Sequence, residues 1–198
     1  MIGVFSTAYL APISYYQSLM KCDKRILDTG EHMMKQSYRN RAVIYGANGK
    51  QNLIVPLLKR GNRTPVKDQK IDYSEDWQKN HIKSIESAYR SSPFYEYYVD
   101  GLFEIIMKNY RYLLDLNLAC HDYICSEIEE KLDFQISDKY VEGEEGFTFY
   151  RDLIHPKKDS IIDETEYHQL FSDKLGFEKD LTIMDLIFLQ GPNVVSYL

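Results

Sequence analysis

The sequence is poor in the features that mark several common classes of protein. Only three cysteines occur among 198 residues, so no disulfide framework is expected and a reducing compartment fits best. No stretch approaches the roughly 18 uncharged apolar residues that a membrane-spanning helix needs. The N-terminus lacks the basic segment and the long apolar segment of a signal peptide. These absences predict a soluble, cytoplasmic protein without a membrane span.

Basic residues are also scarce relative to acidic ones. The chain has 24 Lys and Arg against 30 Asp and Glu, a formal net charge of −6, which argues against a nucleic-acid partner. Charged residues make up 27% and apolar residues 44% of the chain, as in ordinary globular proteins. A chain of this length buries a core without disulfide or metal support. We therefore expect one domain that spans residues 1–198.

The glycine patterns of common cofactor sites are missing. Neither GxGxxG nor GxxxxGK[ST] occurs, which argues against a standard dinucleotide site and a P-loop. His121 and Cys125 have the i, i+4 spacing of two metal ligands, but no CxxC or HExxH accompanies them and two ligands are too few for a structural zinc. Neither a cofactor nor a metal is expected.

Tyrosine is the abundant aromatic residue, with 17 tyrosines against 9 phenylalanines and one tryptophan. Tyrosine combines a large apolar ring with a hydroxyl group, which suits both a half-buried core and a surface for polar ligands. A tyrosine-rich core is the simpler interpretation.

The hydrophobic pattern predicts strands first and helices later. Residues 2–6 and 51–58 are expected to form a small central sheet, with weaker strands at 25–28, 66–73 and 134–137 and a turn at 61–65. Helices are expected over 113–128 and from the start signals near Ser74, Ser92 and Thr182. The fold class is therefore α/β or α+β, with N-terminal strands flanked by several helices.

The densest polar cluster is the run of residues 35–41, KQSYRNR. Arginine matches phosphate and carboxylate groups with two hydrogen bonds, and lysine adds a point charge. A solvated basic loop is the alternative. As an extended segment, the run would place Lys35, Ser37, Arg39 and Arg41 on one side, while Tyr38 and Asn40 face the other.

The sequence resembles the WbqC-like family, bacterial proteins often encoded with genes for surface-polysaccharide (O-antigen) biosynthesis. The KQSYRNR run is the most specific segment of the resemblance, which extends in order from residue 9 to residue 192. The matching segments are residues 9–16, 35–41, 53–56, Trp77 with His81, and residues 89–94, 152–157, 167–169 and 181–192.

The resemblance implies a transferase that moves a small acyl or aminoacyl group, glycine having been suggested, onto a nucleotide- or lipid-linked sugar. Two histidines are candidates for the general base, His155 because it lies in a long loop and His81 because it matches the family. The expected substrate-binding residues at the edge of the sheet are Tyr9, Pro12, Tyr15, Lys35, Ser37, Arg39, Asn40 and Arg41.

Two other functions stay open on sequence grounds. One is a non-catalytic protein of the same pathway that binds a sugar nucleotide or a partner. The other is a nucleotidyl transferase, which would need a histidine that residues 3–19 do not contain. A titratable histidine within reach of the 35–41 run favours the acyl transferase, whereas a run with no histidine or carboxylate nearby favours binding alone. The donor, the acceptor sugar and the oligomeric state are left open.

Overall fold

The computed structural model describes residues 1–58, 64–143, 145–161 and 165–198. The strands are β1 (Ile2–Phe5), β2 (Lys24–Asp28), β3 (Arg41–Gly46), β4 (Gly49–Ile54), β5 (Gln135–Ser137) and β6 (Phe147–Phe149). The α-helices are α1 (Ile13–Met20), α2 (Trp77–Tyr89), α3 (Tyr95–Met107), α4 (Leu113–Glu127), α5 (Tyr150–Leu153), α6 (Ser172–Leu175) and α7 (Ile183–Gln190). Short 3-10 helices lie at Tyr38–Asn40, Val66–Asp68 and Gly191–Tyr197. These elements confirm the α/β class.

Four strands form a parallel sheet in the order β5-β2-β1-β6. The central strand β1 is deeply buried, with Val4 and Phe5 fully inaccessible. From β1 the chain crosses to β2 on one side, while β6 joins on the other side. Ligands of such sheets bind outside the carboxyl ends of the strands at this change of direction. A ligand-binding site is therefore expected at the carboxyl edge of the sheet, near β1 and β6.

The expectation that residues 51–58 belong to the central sheet is wrong. The strand there, β4, pairs antiparallel with β3 in a separate two-stranded sheet. Gly46 pairs with Gly49 across a two-residue turn, and Gly49 has a φ of +98° that favours glycine. A tight hairpin of this kind needs only local pairing. Pro56 lies beyond the end of β4, which fits its inability to donate a ladder hydrogen bond.

The predicted helix starts are confirmed. Helices α2, α3 and α7 begin within three residues of Ser74, Ser92 and Thr182, and α4 occupies the predicted span. Residues 66–73 contain a 3-10 helix and isolated bridges in place of the expected strand. Residues 61–63 of the turn predicted at 61–65 lie outside the described residues.

The core contains many tyrosines, as the composition suggests. Tyr9, Tyr16, Tyr45 and Tyr89 are fully buried, and their hydroxyl groups form hydrogen bonds inside the protein. The Tyr89 hydroxyl, for example, accepts a hydrogen bond from the Tyr45 N–H at 3.1 Å. Among the helices of the described segments, none is both long and apolar enough to cross a membrane.

Candidate functional site at the carboxyl edge of the sheet

The 35–41 run is a turn followed by a 3-10 helix, so the expected alternation of an extended segment is wrong. Gln36 adopts a left-handed backbone conformation with a φ of +58°, and Tyr38–Asn40 form the 3-10 helix. Because this backbone curls, consecutive side chains point in several directions. The cations of the run therefore do not share one face.

Arg39 is a buried ion-pair partner of Glu31. The Arg39 side chain is 1% exposed, and its guanidinium donates Nε to Glu31 Oε1 at 2.8 Å and Nη2 to Glu31 Oε2 at 2.5 Å. Asn117 Nδ2 donates to the Arg39 carbonyl at 2.8 Å. Arg39 thus does not line an open cleft, and a carboxylate neutralises its charge. Sequence reasoning missed Glu31, which lies eight residues before its partner.

The remaining members of the run divide into structural and accessible groups. Ser37 is buried and donates to the Met34 carbonyl at 2.7 Å, and Asn40 Nδ2 donates to the Val55 carbonyl at 2.9 Å. Lys35 is exposed and Arg41 is half-buried. Within the described part of the chain, Arg41 Nε is buried and has no hydrogen-bond partner. Lys35 and Arg41 are therefore the cations of this run that remain available to a ligand.

A second buried ion pair joins β2 to α5. Asp28 ends β2 and accepts hydrogen bonds from the Glu31 and Val141 N–H groups at 3.0 Å each. The same carboxylate pairs with the Arg151 guanidinium, which also stacks on the Tyr140 ring with 4.1 Å between the guanidinium carbon and the ring centroid. The pair holds α5 against the carboxyl edge of the sheet. A carboxylate at the end of a predicted strand was the available sequence signal for Asp28.

His155 follows α5 and lies within the electrostatic reach of the 35–41 run. Partial burial lowers the pKa of His155 below its ordinary value of 6.5, and the positive charges of Lys158, Arg39, Lys157 and Arg41 lower it further. The imidazole is therefore mostly neutral at pH 7. Its Nδ1 accepts a hydrogen bond from the Lys157 N–H at 3.1 Å, so the neutral ring carries its hydrogen on Nε2.

A cavity of about 380 Å³ lies where the run and the His155 loop meet. Tyr38 contributes one wall, and Pro156 and Lys158 contribute another. Lys50 and Lys179 add two further ammonium groups to the lining, and Asp159 and Asp180 add two carboxyl groups. Lys50 Nζ also pairs with Glu178 Oε2 at 2.6 Å. The cavity brings an aromatic ring, three ammonium groups and two carboxyl groups together, which suits a polar ligand with an anionic group and a flat or apolar part.

The opening loop supports the run from the protein interior. Tyr9 is fully buried, and its N–H donates to the Tyr38 carbonyl at 2.9 Å. The Tyr9 hydroxyl lies 3.0 Å from His81 Nδ1, while His81 Nε2 lies 3.2 Å from the Ile54 carbonyl. Nε2 must therefore carry the hydrogen and Nδ1 accepts from Tyr9. Burial lowers the pKa of His81 to about 4, which makes this ring a neutral positioning group for Tyr9.

Pro12 and Tyr15 are likewise buried behind the run. Pro12 forms a bridge with Thr182 at the start of α7. The Tyr15 hydroxyl donates to the Ser6 carbonyl at 2.7 Å, and burial followed by the charge of Glu31 raises the pKa of Tyr15. These side chains shape the loop without reaching the 380 Å³ cavity, whose lining they do not join.

No group of three or more His, Cys, Asp or Glu side chains is placed to hold a metal ion in the described ranges. The spacing of His121 and Cys125 does bring them together, with Cys125 Sγ 3.4 Å from His121 Nε2. That same nitrogen lies 3.1 Å from the Leu132 carbonyl, so it carries a hydrogen and does not face a cation.

Comparison with known proteins finds a family and a relative to which this chain is similar. The sequence profile of the WbqC-like protein family matches residues 7–151, which include the opening loop, the 35–41 run and His81. The chain is 23% identical, over an alignment of 229 positions, to uncharacterized protein Rv1507c of Mycobacterium tuberculosis (strain ATCC 25618 / H37Rv). That alignment covers 100% of this chain and 96% of the relative. No solved structure matches the chain.

Proposed function

The chain belongs to the WbqC-like protein family, and from this premise we propose that it is a transferase of bacterial surface-polysaccharide biosynthesis. It moves a small acyl or aminoacyl group, with glycine as a candidate, onto a nucleotide- or lipid-linked sugar. The observation that carries the proposal is the cavity that Tyr38 of the 35–41 run shares with Pro156 and Lys158 of the His155 loop. Burial and nearby cations lower the pKa of His155 in this loop. An acid–base group beside an anion-binding surface suits catalysis better than binding alone.

Arg41, Lys158 and Lys35 hold the anionic part of the substrate in this proposal. Arg41 is partly sheltered from water, so its charge acts more strongly on a phosphate than that of a fully solvated side chain. Lys158 lines the 380 Å³ cavity on the side of His155. The net charge of the chain is −6, so this local positive region concentrates an anionic ligand where the rest of the surface repels it.

The chemistry is transfer of an acyl group to an oxygen or nitrogen of the acceptor sugar. The acceptor O–H or N–H takes the place of the Lys157 N–H as hydrogen-bond donor to His155 Nδ1. A new C–O or C–N bond forms at the donor carbonyl carbon, and the proton of the acceptor moves to Nδ1. As the bond from this carbon to the leaving group breaks, the imidazolium returns the proton to the leaving group. His81 has no comparable role, because both of its nitrogens have internal partners.

The test separates binding from chemistry with two variants. Thermal shift against a panel of nucleotide sugars and acyl donors identifies ligands, since a ligand that binds the folded state raises the melting temperature. Arg41→Gln is expected to reduce this shift by more than half. His155→Gln is expected to preserve the shift and to reduce transfer, measured as the mass increase of the sugar, by about 100-fold or more. Lys174→Gln on the exposed helix α6 is the matched control.

The pH profile gives a second readout. The rate at low substrate concentration should rise with pH through a pKa below 6.5, because the base form of His155 is required and nearby cations disfavour its protonation. Lys158→Gln should move that pKa upward. A His155→Gln variant that transfers at the wild-type rate would remove His155 from the mechanism. Ligand shifts without transfer by the wild type would favour the non-catalytic binding protein.

A further inference from the structure

A larger groove lies at the β5 end of the parallel sheet, between α4 and the segment that leads into β5. Its volume is about 720 Å³. Leu118, Asp122 and Cys125 mark its wall along α4, at positions that recur on one helix face. This groove does not share lining residues with the 380 Å³ cavity near His155, so the proposed transferase site leaves it unexplained.

The floor of the groove is apolar and partly open to solvent. Phe134, directly before β5, and Ile136, within β5, both line it. Ile136 is 52% exposed, which is unusual for an isoleucine in a sheet strand. An exposed strand residue that joins an apolar wall is a suitable contact for a side chain of a binding partner.

The backbone of β5 offers hydrogen bonds at the same place. In the part of the chain that the structure describes, β5 has β2 as its single neighbour in the sheet. The Ser137 carbonyl accepts the Thr29 N–H at 3.0 Å, so Ser137 faces β2. In a parallel pair alternate residues face the neighbour, so the N–H and C=O groups of Ile136 point away from β2. An outer strand with free backbone groups pairs readily with an added strand.

The rim of the groove selects the charge of the partner. Asp122, Glu129, Glu130 and Asp133 line it, against a single cation, Lys131. Lys131 Nζ lies 3.5 Å from Asp133 Oδ2 and offsets one of the four carboxylates. The remaining excess of negative charge complements a basic ligand and repels an acidic one.

We propose that this groove binds an extended basic segment of a partner protein, which adds to β5 as a further strand. Its backbone pairs with the free N–H and C=O groups of Ile136. Apolar side chains on one face of the segment pack on Phe134 and Ile136, and Lys or Arg side chains meet the acidic rim. A second copy of this chain is a poorer occupant, because neither outer strand of its parallel sheet, β5 (Gln-Ile-Ser) or β6 (Phe-Thr-Phe), contains a basic residue.

The test uses a fluorescein-labelled peptide of sequence Lys-Val-Lys-Val-Lys-Val-Lys and fluorescence anisotropy on the full chain. A peptide of equal composition in two blocks, Lys-Lys-Lys-Lys-Val-Val-Val, keeps the charge but lacks the alternation. We expect the alternating peptide to bind at least tenfold more tightly than the block peptide. On binding, amide hydrogen exchange of Ile136 in the wild-type protein should slow at least tenfold, because its N–H becomes hydrogen-bonded.

Two variants and one control separate the contributions. Ile136→Lys, which places a charge on the apolar floor and on the outer strand, should weaken binding of the alternating peptide at least tenfold. The double variant Asp122→Asn, Glu130→Gln should weaken binding about as much at low salt and less at high salt, because screening removes the charge contribution. Glu104→Gln, on the exposed surface of α3, removes one negative charge elsewhere and should leave the affinity unchanged.

Several outcomes would overturn the proposal. Equal affinity for the two peptides would reduce the groove to a nonspecific acidic surface. Unchanged exchange at Ile136 would exclude strand addition, even if Ile136→Lys failed to fold. Displacement of the peptide by spermine at equal affinity would identify a small cation as the ligand, and self-association that the peptide relieves would identify a second copy. None of these results bears on transfer at His155, so the two proposals are tested separately.

Discussion

Arg39 resembles a ligand-binding arginine in sequence, yet its guanidinium is committed to Glu31 inside the protein. Removal of one partner of a buried ion pair leaves the other charge desolvated and unpaired. Arg39→Ala should therefore lower the free energy of unfolding by about 3–5 kcal/mol, measured by urea denaturation. The double variant Glu31→Leu, Arg39→Met should lose much less, because neither charge is left behind.

The stability of the Lys35→Ala variant is the control for that of Arg39→Ala. Lys35 is exposed in the same run, so its loss should change stability by less than about 0.5 kcal/mol. If Arg39→Ala were as stable as Lys35→Ala but no longer responded to anionic ligands, Arg39 would be a ligand contact after all.

Helix α7 is joined to the opening loop and to the β3–β4 hairpin through its N-cap residue, Thr182. The Thr182 N–H donates to the Val43 carbonyl at 2.8 Å, and its hydroxyl donates to the Leu10 carbonyl at 2.8 Å. The same oxygen accepts the Met184 N–H at 3.5 Å as the helix cap. A capping threonine thereby links three elements that are distant in the chain, which explains why a local helix signal also positions the walls of the site.

At the scale of this element, Thr182→Ala should lower the free energy of unfolding by about 1–2 kcal/mol, since it removes a cap and a buried hydrogen bond. Thr182→Ser keeps the hydroxyl and should recover at least half of the loss. Chemical denaturation of the two variants measures the difference. Equal destabilisation by Ala and Ser would show that the methyl group, through packing, carries the effect.

At the scale of the whole molecule, two buried groups make opposite contributions to stability as the pH changes. Burial lowers the pKa of His81 from 6.5 to about 4, so its contribution is present above pH 6.5 and is lost as the pH falls through 4. Burial raises the pKa of Asp185 from 3.8 to about 6, so its contribution is present below pH 3.8 and is lost as the pH rises through 6. Each amounts to about 3 kcal/mol, and the two nearly cancel between pH 4 and 6.5.

The variants Asp185→Asn and His81→Gln should expose these two contributions. Between pH 6.5 and 4, Asp185→Asn should lose about 3 kcal/mol relative to the wild type, because the loss from His81 is no longer offset. His81→Gln should gain a similar amount relative to the wild type over the same range. Urea denaturation at a series of pH values gives both differences. A difference that does not change with pH would show that the replaced group does not titrate in this window.

Local signals were sufficient for the fold class, the helix starts and the membership in the family. Thr182 marks a helix start because the capping hydroxyl and the helix it begins are adjacent in the chain. The apolar residues of β1 and β2 likewise predict buried strands from the local sequence. The family resemblance depends on short segments in order, such as KQSYRNR, which need no three-dimensional information.

Contacts between distant residues set the pairing of strands and the roles of the site residues. Asp28 and Arg151 are 123 positions apart. The residues that flank each of them in the sequence do not indicate that the two form an ion pair. The same holds for β4, whose apolar pattern suits either sheet, and for Arg39, whose sequence context is that of an exposed cation. His155 meets the charges of Arg39 and Arg41 because β6 and α5 return the chain to the carboxyl edge of β1. The burial of a side chain and its interactions with charges distant in the sequence both depend on this packing. Neither can be read from the order of residue types along the chain.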